Sequence, residues 1–113
     1  MRDLNKTVRN CLTRLNIDPT HIGYDQLTDC VIVRITQKLS AVCKIYEEVG
    51  KIYDVKSKSI MRNITYALSQ VTDLADRLSK LMGMPVTSLH NGKVIFYIAD
   101  LVSEPSIFDV NVQ

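Results

Sequence analysis

The sequence predicts an all-α domain of six helices containing a helix-turn-helix. Three observations carry that prediction. Apolar residues recur at helical spacing along most of the chain, and capping or breaking residues fall between these runs. The composition, 46% hydrophobic and 23% charged over 113 residues with only 4 Gly and 3 Pro, is that of one ordinary soluble domain. A chain of this length can bury a core without staples and leaves little room for a second domain.

Leu4, Val8, Cys11, Leu12 and Leu15 predict a first helix over 4–15, stopped by the Pro and Gly of IDPTHIG. Tyr24, Leu27, Val31, Ile35 and Leu39 predict a second over about 24–38, with Thr28 and Arg34 off the apolar stripe. Val42, Ile45, Val49 and Ile52 lie on one side of a third, for which Ser40 is the expected N-cap. Asp54 suits a left-handed turn and Ser57 an N-cap, so a fourth helix is expected from about Lys58 to Val71. Its apolar face is Ile60, Ile64, Ala67, Leu68 and Val71; Lys58, Arg62, Thr65, Tyr66 and Ser69 lie opposite. Thr72 is the expected cap of a fifth helix through Leu74, Leu78 and Leu81, ended by Gly83. Asn91 is the expected cap of a sixth through Val94, Ile95, Ile98 and Leu101. The helical domain therefore spans 1–102, followed by a tail, 103–113, without clear period.

Cys11, Cys30 and Cys43 are odd in number, widely spaced and set among apolar residues, which predicts small core hydrophobes in a reducing, cytoplasmic protein. The N-terminus lacks a continuous apolar block, and Val94–Ala99 is far too short to span a bilayer. His21 and His90 have no Cys or carboxylate at metal-ligand spacing, and there is no Gly-rich phosphate loop or paired nucleophile and base. Neither an enzyme, a metal nor a cofactor is expected.

Net charge is +2, but it is unevenly distributed. Residues 34–62 carry seven basic side chains against three acidic ones, whereas residues 1–33 are balanced and 63–113 are acidic. Such a basic middle suits a polyanion-facing surface, although solvated helix faces also cluster charge. It coincides with helix-turn-helix spacing: Gly50 where two helices approach, Asp54 four residues on at the turn, then Val55 and Ile60 as anchors. An antiparallel hairpin in a bundle would use the same grammar, and the charge favours DNA.

The segments PTHIGYDQL, YEEVGKIYDVKSKSIMRNITYAL and HNGKVIFYIADLV resemble the C-terminal effector domains of the stage-zero sporulation protein A response regulators. The similarity runs from about Leu4 to Val102. It implies a six-helix domain whose fourth helix reads duplex DNA and whose last helices pair monomers. Carried over by position, Arg62 matches a basic residue of the recognition helix, Ser57 lies in its first turn, and Asn91 matches the cap of the last helix. Ser59, Met61, Thr65 and Tyr66 stand where the family has a basic residue, Glu, Arg and His, which removes groups that reach bases or phosphates. No receiver domain is expected, so the chain would act as a free-standing effector, active by itself or antagonising a full-length regulator.

Within the DNA reading Arg62 is the expected base contact, because bidentate Arg to guanine is the commonest specific pairing. Lys51, Lys56 and Lys58 are expected on phosphates, with Ser57, Ser59, Asn63, Thr65 and Tyr66 adding base or backbone contacts. The alternative is a protein interaction or dimerisation module with a degenerate helix-turn-helix. In it Met61, Met82, Met84 and Tyr66 make adaptable contacts, and the sixth helix with Ile107, Phe108 and Val110 forms a homodimer surface.

Overall fold

A computed structural model describes residues 3–103. Over them the chain forms six helices and no strand: α1 (Leu4–Arg14), α2 (Ile22–Gln37), α3 (Val42–Tyr53), α4 (Ser57–Ser69), α5 (Leu74–Met82) and α6 (Asn91–Ser103). The expected all-α class and helix order are those observed. Ile107, Phe108, Val110 and the rest of the tail from 104 onward lie outside the described residues.

The helix starts differ from the expected caps. Asp3 caps α1 by accepting from the Lys6 amide at 3.2 Å. The N-cap of α3 is Ala41 rather than Ser40, that of α4 is Lys56 rather than Ser57, and that of α5 is Asp73 rather than Thr72. None of these three supplies a side-chain capping bond. Asn91 is already inside α6, because the Val94 amide donates to the carbonyl of His90 at 3.0 Å. Side-chain capping is worth only about 1 kcal/mol, so packing can move a helix start by a residue.

Position α2 at the centre and the burial pattern follows. It touches α1, α3, α4 and α6, so its buried residues run around the axis: Tyr24, Leu27, Cys30, Val31 and Val33, together with Gln26 and Thr28. Thr28, expected off the stripe, is completely buried because that side faces protein too. Its hydroxyl donates to the Tyr24 carbonyl at 2.9 Å, which removes the cost of burying it. Arg34 does lie off the core, and its guanidinium sits 4.7 Å from the Phe96 ring centroid while donating to the Leu39 carbonyl at 2.7 Å.

The α2–α4 crossing is set by Gly23, which lies against the backbone of Asn63 and the methyl of Ala67. Between α1 and α2, Arg9 pairs with Asp25 at 2.9 Å and the Tyr24 hydroxyl donates to the Arg9 carbonyl at 3.2 Å. Val8, Leu12, Leu27, Ile45, Val49, Ile60, Ile64, Leu78, Ile95 and Ile98 are all fully buried in one continuous core. Burying a side chain of this kind is worth about 1.5–3 kcal/mol, which makes this core the main source of stability.

Two apolar expectations are corrected. Ile52 is 63% exposed, because the buried stripe of α3 turns through Tyr46 and Val49 towards Tyr53. The Tyr53 hydroxyl donates to Asp29 of α2 at 2.5 Å; burial and that carboxylate both push its pKa up. Cys43 is exposed rather than core, whereas Cys11 and Cys30 are buried as expected.

Candidate nucleic-acid interface

The three residues Asp54, Val55 and Lys56 join α3 to α4. Asp54 takes the left-handed conformation expected of it, with φ 56°, and ends α3. The Val55 amide then donates to the Gly50 carbonyl at 3.0 Å. A Cβ on Gly50 would stand 2.6 Å from the Val55 carbonyl oxygen, so Gly50 admits the returning turn rather than a second helix. Val55 contributes this backbone contact and not the expected side-chain anchor, being 41% exposed. Ile60 does anchor α4, fully buried.

From that turn α4 presents two faces. Ile60, Ile64, Ala67 and Leu68 pack inward. Lys58, Arg62, Thr65 and Ser69 follow one another at steps of four, three and four residues and form an exposed outward row. Lys56 leads into it, exposed, and α4 contains no Asp or Glu. Among the described residues Lys56, Lys58 and Arg62 make no ion pair. The dipole of α4 adds partial positive charge at its N-terminal end.

The other expected contacts are distributed unevenly. Lys51 is exposed but pairs with Glu48 at 2.8 Å, and that hydrogen bond raises its pKa. Ser57 and Ser59 are half-buried in the first turn of α4. Asn63 faces inward, its amide donating to the buried Gln26 side chain at 3.0 Å; it ties α4 to α2 and is withdrawn from the outward row. The Thr65 hydroxyl donates to the Met61 carbonyl at 2.8 Å and accepts from the Asn91 amide at 3.0 Å. Tyr66 is 55% exposed, and its ring meets that of His21 edge-on with centroids 5.1 Å apart.

Asn91 was expected as a cap and instead bridges α6 to α4, its amide also donating to the Met61 carbonyl at 3.2 Å. The sequence carries no local signal of this contact, nor of the Asn63–Gln26 pair, because the partners lie 30 and 37 residues apart. Among the described residues no three His, Cys, Asp or Glu side chains gather as a metal site, and no helix is long and apolar enough to cross a membrane. Neither a protein family, a curated protein nor a solved structure matches this chain.

Proposed function

We propose that the domain is a cytoplasmic transcription regulator that binds duplex DNA with α4 in the major groove. The observation that carries this reading is the row of Lys58 and Arg62 on an acid-free α4, entered through Lys56, with none of the three in an ion pair among the described residues. A helix of about 10–12 Å diameter fits a major groove about 12 Å wide. Arg62 has the reach and the donor fork for a guanine edge, while Lys56 and Lys58 supply point charges for phosphates. The resemblance to sporulation-regulator effector domains favours the same helix, and pairing of two copies through α6 would match a two-site operator.

The test is fluorescence anisotropy with the family's operator box and a random duplex, each titrated at low and physiological salt. Selective binding to the box supports readout by α4. Equal, strongly salt-dependent binding points to phosphate attraction and requires selection of the true site.

A second reading, a protein interaction module that modulates a full-length regulator, is favoured by the exposure of Ile52, Val55, Met61 and Tyr66 on and beside α3 and α4. Absence of binding to either duplex would put this reading first.

A further inference from the structure

A groove of about 970 Å3 opens between the N-terminal ends of α3 and α6, the α4 surface at Met61 and Thr65, and the connection leading to His90. Val42, Tyr46, Met61, Leu89 and Phe96 give it an apolar lining. Met61 and Leu89 are 43% and 38% exposed, so apolar surface there remains open to water. The basic lining residues are Lys93 and His90, Tyr46 adds a phenol, and among the described residues neither Asp nor Glu lines the groove. Among the described residues Lys93 and His90 make no ion pair.

The walls are held in place before any ligand arrives. Asn91 ties α6 to α4 through its bonds to Met61 and Thr65. Gly92 of α6 lies against Val42 of α3, where an added Cβ would meet the valine at an ordinary 3.5 Å. Arg34 covers the Phe96 ring and fixes the Leu39 carbonyl. An apolar pocket with a few convergent polar groups and preformed walls has the character of a small-molecule site.

We propose that this groove binds a monocarboxylate with an apolar body. The carboxylate pairs with Lys93 beside His90, and the apolar body covers Met61, Leu89 and Phe96. Charge complementarity selects the acid: an anionic head meets the Lys93 ammonium, with no acidic residue among the described lining to repel it. Arg34 lies behind Phe96 and donates to the Leu39 carbonyl rather than lining the groove, and a single ammonium suits one negative charge better than a phosphate dianion. Binding of the acid does not require that α4 bind DNA.

The full chain is titrated with 11-(dansylamino)undecanoic acid and, separately, with its methyl ester, following dansyl fluorescence. The expected result is saturable binding of the acid at one site per chain, displaced by decanoate, with the ester at least about fivefold weaker. Lys93→Ala should weaken the acid by about fivefold to tenfold and leave the ester unchanged. Leu89→Ser should weaken both probes. Lys93 and Leu89 are exposed, and unchanged circular dichroism and thermal midpoint confirm that each variant folds. Equal affinity for acid and ester, indifference to Lys93→Ala, or no saturable binding would overturn the proposal. So would a dimer, seen by sedimentation, that Leu89→Ser dissociates, because the occupant would then be a second copy of the chain.

Discussion

A Cβ placed on Gly23 would lie 2.1 Å from the carbonyl oxygen of Asn63, so α2 and α4 meet there with backbone against backbone. No flexible side-chain end can give way, and α4 must shift if the site is filled. Gly23→Ala should therefore destabilise the domain by about 1–3 kcal/mol, despite the better helix propensity of alanine. Gly92→Ala is the control, since its new methyl would meet Val42 only at 3.5 Å. It should stay within about 1 kcal/mol of the parent, and urea denaturation of the two variants checks the contrast.

Asn63 divides structure from recognition. Its amide satisfies Gln26, which is 2% exposed. Asn63→Ala leaves that buried carbonyl without its donor and should cost about 1–3 kcal/mol of stability. Affinity for DNA, measured well below the unfolding midpoint, should stay the same. A large affinity loss with unchanged stability would return Asn63 to the contact surface.

The opposite outcome is expected at Arg62. It is exposed and free of ion pairs among the described residues, so Arg62→Ala should alter stability by less than about 0.5 kcal/mol. DNA binding should weaken by about 1–3 kcal/mol, with relaxed sequence preference. Lys58→Ala should weaken all duplexes alike and lower the salt slope by about 1. Anisotropy titrations on matched and mismatched duplexes separate the two patterns.

Thiol chemistry should follow burial. Burial pushes Cys11 and Cys30 from the ordinary 9.0 up to about 12, while Cys43 is exposed. Ellman's reagent at pH 8 should therefore modify Cys43 rapidly, and Cys11 and Cys30 only on unfolding. Above pH 9 the unfolded chain releases thiol protons that the folded chain keeps. Stability is unaffected by these groups below pH 9 and falls as pH rises from there towards 12. Cys30→Ala should show a shallower fall over pH 9–10 in urea midpoints, whereas Cys43→Ser should not.

Helix number, order and class were legible in the sequence, as were the left-handed turn at Asp54, the separation of Ile60 and Ile64 from Lys58 and Arg62, and the burial of Cys11 and Cys30. Each depends on a residue and neighbours within a turn or two, which is the range over which helical periodicity and turn chemistry act. Periodicity sorts a helix into faces but does not say how many of them will be covered. The central placement of α2 buried Thr28 and Gln26, and the turn of the α3 stripe towards Asp29 left Ile52 in water. Cys43 stands exposed on α3. Asn63 and Asn91, read along the chain as a contact residue and a cap, were claimed by Gln26 and by Met61 and Thr65. Those partners are chosen only when helices distant in sequence pack, because the packing decides which donors and acceptors come within hydrogen-bond reach.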